Sequence, residues 1–319
     1  MSQEQAFFTT LKNEKGIQVT FCNFGATISS IKIPMEEGEL DIVLGFDKVE
    51  DYKRSFYLKQ KPFLGAVVGP HAGRVNLGKF SDGENVIQLE KNHNGHHLHG
   101  GTINLSNQFW EVATITNDKI VFELSTNNGK ATFRTEYVLI LNTLHITLNA
   151  VTETDTLINL TQHSYFNLAG HDGDVTNLEM KMEASDTLEQ DINLIPTGKL
   201  IPTKDSGFDF SEFKNCPSKI DTSFVLNGNQ PAAVLKNKEN GLTLKVFTNQ
   251  PNVHVYVGGN TENILGKEGV AYHDTSGICF EAQNFPDSPN HSNFRNGIVR
   301  KGEKYINKIA YEFTIDNEI

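Results

Sequence analysis

The sequence predicts an all-β protein, a large antiparallel β-sandwich with very little helix, on three observations. Apolar residues recur mostly with period 2, turn-forming dipeptides separate the apolar runs at short intervals, and helical periodicity over about twelve residues or more is nearly absent. In chain order, Asp82-Gly83 marks a turn before the VIQLE run, and Asn127-Asn128-Gly129 separates KIVFEL from the strand of YVLIL. In TLHITLNAV, Leu144, Ile146 and Leu148 alternate with His145, Thr147 and Asn149, the pattern of a half-buried strand. SDTLEQDI is the place where a helical turn or two is expected, with Ser185 as its N-cap. Asn227-Gly228 and Asn240-Gly241 are further turns, and GLTLKVF after the latter sets Leu242, Leu244 and Val246 against Thr243, Lys245 and Phe247. Many strands joined by tight turns imply antiparallel sheets packed face to face.

The chain of 319 residues holds 38% hydrophobic and 21% charged residues, a folded composition. No Pro/Ser-rich linker, low-complexity tract or short-period repeat interrupts it, so a single domain over 1–319 is expected and a propeller is disfavoured. Lys plus Arg number 28 and Asp plus Glu 39, so the net charge of −11 repels phosphate backbones and anionic lipid. Nucleic acid and membranes are therefore excluded as default partners, and a small neutral molecule is favoured. The N-terminus does not read as a secretory signal, and Cys22, Cys216 and Cys279 form no C-x-x-C pair. A reducing cytoplasm follows, with the three cysteines as small buried hydrophobes.

Several chemistries lack their sequence grounds. Gly78-Lys79 is followed by Phe80 and Gly266-Lys267 by Glu268, so no phosphate-cradling G-x-x-x-x-G-K-[ST] occurs; G-x-G-x-x-G and G-x-S-x-G are missing too. The cluster His93, His96, His97, His99 invites a metal test, because His97 and His99 would share one face of a strand. The next carboxylate, Glu111, is twelve residues on and Gly100-Gly101 break the strand, so no metal is expected.

Three polar segments interrupt apolar strands beside glycine or proline: His97 to Gly101, Asn159 to Gly170, and Ile278 to Asp287. They supply histidines, a carboxylate that is costly to bury unpaired, and hydrogen-bonding side chains. Leu98 to Gly101 (LHGG), Asn159 to Gly170 (N-L-T-x-H-S-Y-F-N-L-x-G) and Glu281 to Asp287 (E-x-Q-N-x-P-D) resemble, in order, the marks of the aldose 1-epimerases, the galactose mutarotase family. Gly69 to Phe80 is similar to the family's G-x-x-x-x-R-[IV]-x-x-G-x-F. The resemblance implies the mutarotase-like supersandwich and cofactor-free interconversion of the α and β anomers of a free hexose such as galactose or glucose. It also implies a general acid at His163, a general base at Glu281, a second active-site histidine at His99, and sugar contacts at Arg74, Tyr165, Asp221, His254 and Gln283.

The chemistry suits these groups. Ring opening needs a proton to leave the C1 hydroxyl while another reaches the ring oxygen; a carboxylate with a reference pKa of about 4.3 and an imidazolium held by a neighbouring carboxylate supply both. The chain departs from the family at Gly73, where Asn is common, at Asn104 to Asn107, expected to reshape a loop over the groove, at His254, where many relatives carry Gln, and at an extra Gly259. These departures motivate a second reading, a non-catalytic carbohydrate sensor. A third, a glycosidase, would pair Glu281 with Asp287. Trp110 and the remaining aromatics are expected mainly in the core, and His145, His171, His273 and His291 at solvated positions. The expected assembly is a monomer or homodimer.

Overall fold

The computed structural model describes residues 7–126 and 130–316, so the Asn127-Asn128-Gly129 turn lies outside the described residues. Among those described, strands dominate and the one α-helix, Val49–Ser55, has seven residues. No helix among them is long and apolar enough to cross a membrane.

Two large antiparallel sheets carry the fold. The six-stranded one contains β1 (Tyr165–Phe166), β2 (Ala184–Gln190), β3 (Pro196–Pro202), β4 (Ile220–Leu226), β5 (Asn252–Val257) and β6 (Ile278–Gln283), in the order β1-β6-β5-β4-β2-β3. The other has nine strands, with the long hairpin Ala131–Ile140/Thr143–Thr152 beside the last strand, Lys304–Ile315. A four-stranded N-terminal sheet runs from Phe8 to Asp41.

Period 2 decides what each strand buries. Leu144, Ile146 and Leu148 are buried while His145 is exposed, as the alternation predicts. The same rule on the six-stranded sheet sends Val253, Val255, Phe280 and Ala282 into the main apolar cluster, where they meet Ile146, Leu148 and Tyr311 of the nine-stranded sheet. Contacts such as Phe166–Tyr311, with ring centroids 4.9 Å apart, join the two sheets, and Phe21–Tyr137 at 4.6 Å ties in the N-terminal one. The turn signals are also met: Asp82-Gly83 follows Lys79–Asp82, and Gly83, Gly228 and Gly241 take the positive φ that their turns require.

One local expectation fails. SDTLEQDI is not helical: residues 184–190 form β2, paired with β4 through Thr187↔Phe224 and with β3 through Thr187↔Ile201. Strand partners on both sides bury Thr187 and Leu188, and those long-range bonds override a weak local helix preference.

Candidate active site

The outer face of the six-stranded sheet follows from the inner one. With Val253, Val255 and Val257 in the core, His254 and Tyr256 of β5 point the other way. Opposite His254 stand Ser223 of β4 and Glu281 of β6, and opposite Tyr256 stand Asp221 and Cys279. Directly opposed residues share a face, so this register alone gathers Asp221, His254, Glu281 and Gln283 onto the floor of a cleft of about 470 Å³.

The walls come from loops that sharp backbone turns bend over the floor. His97–Leu98 pairs with Arg74–Val75, which brings Arg74 and His99 to the rim. His99 has a φ of 50°, and Gly100 follows at 85° with an added Cβ only 2.2 Å from the Gly69 carbonyl oxygen, so glycine is required there. His163 lies between two short strands, tied by its own N–H to the Ala66 carbonyl and by its carbonyl to the Gly65 N–H.

Asn159 locks these pieces together. Wholly buried, it donates from Nδ2 to the carbonyls of Ala72 and Asn284, both at 3.1 Å, and accepts at Oδ1 from the Asn284 N–H at 2.8 Å. One side chain thus binds the His163 segment, the Arg74 loop and the end of the Glu281 strand. Gln162, Asn167 and Thr161 clamp backbone in the same way.

At the centre, His163 Nε2 is 3.5 Å from Glu281 Oε1, and both side chains are almost wholly buried. The Cys279 sulfur lies 3.5 Å from His163 Nδ1; burial holds that thiol well above its ordinary pKa, so it stays protonated. Phe63 packs against both cleft histidines, with ring centroids 5.2 Å from His99 and 5.9 Å from His163. His99 Nδ1 accepts from the Gly73 N–H at 3.2 Å. Burial, and then the nearby His163 and Arg74, push its pKa well below the usual value, so His99 is neutral with its proton on Nε2.

Across the floor, His254 Nε2 is 3.0 Å from Asp221 Oδ1. Burial raises the Asp221 pKa, but the bond and charge of His254, aided by Arg74, outweigh it and hold the carboxyl below its ordinary range. Arg74 Nε, Glu281 Oε2 and Gln283 Oε1 are buried without a partner in the protein, an arrangement suited to a polar ligand bearing several hydroxyls.

Of the eight expected site residues, the cleft collects His99, His163, Glu281, Arg74, Asp221, His254 and Gln283. Tyr165 is the exception: it is fully buried behind His163, ring centroids 5.1 Å apart, where no sugar reaches. Its Cα partner is Cys279, so it shares the cleft's face of the sheet, and it packs beside the histidine in a second apolar cluster with Cys279 and Tyr256, the two tyrosine ring centroids 6.2 Å apart. Phe63 and Tyr256 also line the cleft and were missed; Tyr256 was legible as the residue two places after His254 on one strand.

Other expectations are corrected. His97 and His99 do not share a face, because the positive φ at His99 turns the chain: His97 is buried with Nδ1 on the Glu90 carbonyl, while His99 enters the cleft. Among the described residues, the group whose ligand atoms do approach one another is instead His99, His163 and Glu281, all within 4.8 Å. Asn104 to Asn107 do not cover the cleft; Leu105 and Ser106 are buried, Asn104 caps the turn, and Trp110 in the core donates to the Leu105 carbonyl at 3.0 Å. Asp287 is buried outside the cleft, held by the Asn76 N–H, Asn290 and His291, and is no second carboxylate for a glycosidase. His171 is buried and His291 pairs with Asp287, so neither is a solvated histidine, whereas His145 is exposed.

Comparison with known proteins agrees with this picture. The family model for aldose 1-epimerase matches residues 8–312. Galactose mutarotase of Mus musculus is 31% identical over 318 residues, covering 94% of this chain and 92% of that protein. Aldose 1-epimerase of Escherichia coli (strain K12) is 30% identical, covering 95% and 94%. Among solved structures, an aldose epimerase homologue from C. elegans superposes with a TM-score of 0.90 at 27% identity, covering 98% of this chain and 100% of that one. Galactose 1-epimerase from Lactobacillus acidophilus NCFM gives 0.83 at 27% identity, covering 98% and 99%.

Proposed function

The chain belongs to the aldose 1-epimerase family, and on that premise we propose that it exchanges the α and β anomers of a free hexose, glucose or galactose, with Glu281 as base and His163 as acid. The observation that carries this reading is the His163–Glu281 approach of 3.5 Å inside a cleft with unpaired polar atoms. The Glu281 carboxylate removes the proton of the C1 hydroxyl, C1 becomes a carbonyl as its bond to the ring oxygen breaks, and the His163 imidazolium protonates that oxygen. After rotation about C1–C2 the two groups act in reverse, and no proton is gained or lost.

Neutral His99 donates its Nε2–H to a sugar oxygen, and Arg74, Asp221 and Gln283 hold hydroxyls. No step requires a metal or other cofactor. We take residues 1–319 as one domain, since lining residues come from Lys59 to Pro286 and the main apolar cluster runs from Leu11 to Phe313. The three buried free cysteines support a cytoplasmic setting.

Polarimetry on freshly dissolved α-glucose and α-galactose tests the proposal. Glu281→Gln and His163→Asn should each lower turnover by at least ~10²-fold, the lower end for an acid or base. EDTA should leave the wild-type rate within about twofold, since no metal-bound step is involved. Binding of sugar without accelerated exchange by the wild type would identify a sensor instead, and a Glu281→Gln variant as fast as wild type would remove the acid–base assignment.

A further inference from the structure

His254 occupies the middle of the cleft floor, flanked across the sheet by Ser223 and Glu281. Both of its ring nitrogens are taken within the sheet, Nε2 by Asp221 Oδ1 at 3.0 Å and Nδ1 by Ser223 Oγ at 2.9 Å. A histidine with one nitrogen hydrogen-bonded and the other ion-paired with a carboxylate offers no free nitrogen to a hydroxyl of the substrate. The carboxylate it holds has a second oxygen, and Asp221 lines the cleft. We propose that His254 is a positioning residue for anomer exchange: it fixes the Asp221 carboxylate against the sugar, and the charge it carries makes sugar affinity depend on pH. This rests on the epimerase reading above.

The charged and titratable groups around His254 set the sign. Asp221 faces it from β4, Glu281 from β6, Arg74 from the Arg74–Val75 strand and neutral His99 from the adjoining loop. With the imidazolium present, the His254–Asp221 pair is neutral, and Glu281 is the remaining anion beside it. Without that proton, Asp221 and Glu281 are two carboxylates on one floor, and the Asp221 bond loses its charge assistance. Burial alone would strip the proton from His254. The bond to Asp221 and its charge, with the charge of Glu281, outweigh burial and the opposing Arg74, and raise the pKa above the ordinary histidine value. A raised pKa keeps the pair intact below the usual titration range and loosens it as pH rises through the folded value.

The test measures KM for α-glucose at pH 6 and pH 8.5 in wild type and His254→Gln. The glutamine amide can still donate to Asp221 but carries no charge. Wild-type KM should rise ~5-fold between the two pH values, the difference between a charged and a neutral hydrogen bond, while KM of the variant stays level. In the free protein, NMR of labelled histidines should show one imidazole titrating above the ordinary range, and that signal should vanish in His254→Gln. A flat wild-type KM, a variant with the same pH dependence, or the lack of that signal overturns the proposal. A wild type that fails to speed anomer exchange at either pH refutes the epimerase reading, and the NMR titration then judges the His254 charge by itself.

Discussion

Replacing Asn159 by alanine would cut the side chain that joins the three segments of the cleft. Its three bonds, at 3.1, 3.1 and 2.8 Å, all go to backbone groups, and the residue is 0% exposed. Each buried backbone group left without a partner costs about 1–3 kcal/mol, so three bonds set a range of about 3–9 kcal/mol. Entry of water into the space vacated by the amide recovers part of this, and the expected loss is about 3–5 kcal/mol.

Urea unfolding followed by the fluorescence of the single tryptophan, Trp110 in the core, measures the change directly. Asn159→Asp sharpens the test. It keeps the acceptor for the Asn284 N–H but turns an oxygen toward the Ala72 and Asn284 carbonyls, so it should destabilise at least as much as alanine. Under conditions where the variants remain folded, turnover should fall by ~10-fold or more, because His163 and Glu281 are no longer held in register. A loss below about 1 kcal/mol in both variants would refute the clamp.

Two further outcomes follow from the same geometry. Gly100→Ala should lose more stability than the about 1–2 kcal/mol of left-handed backbone alone, because its Cβ meets backbone at 2.2 Å; a melting temperature equal to wild type would contradict this. His71, wholly buried, has its pKa lowered from 6.5 to about 3 by burial and then by His97, so its contribution is full above pH 6.5 and is lost as pH falls toward 3. Between pH 7 and pH 5 this removes about 2 kcal/mol, read as a fall in urea midpoint of the wild type relative to His71→Gln, and the same pH dependence in both proteins would exclude it.

The elements legible in the sequence were those whose information is local and periodic. The alternation in TLHITLNAV and GLTLKVF fixes which side of each strand is buried, and Gly83, Gly228 and Gly241 mark turns because their backbone conformations disfavour other residues. SDTLEQDI was misread because its strand state depends on β3 and β4, partners that no local window contains. The LHGG, Asn159–Gly170 and Glu281–Asp287 segments could be matched to the family, yet most of their polar residues hold backbone together: Asn159, Gln162 and Asn167 are clamps, and Asp287 anchors the Arg74 loop.

Residue type and spacing by themselves determined that this chain forms antiparallel sheets, that it carries a net charge of −11, and which His and Glu were worth suspecting. Only the tertiary structure decided that Glu281 lies across the sheet from His254, that His163 comes within 3.5 Å of it, and that Tyr165 stands behind the cleft wall. The physical reason is reach. A side chain's face is set by its neighbours two residues away, whereas its partners are set by the register between strands as far apart in the chain as Thr143 and Glu312, 169 positions, and register is written in the packing of the whole core.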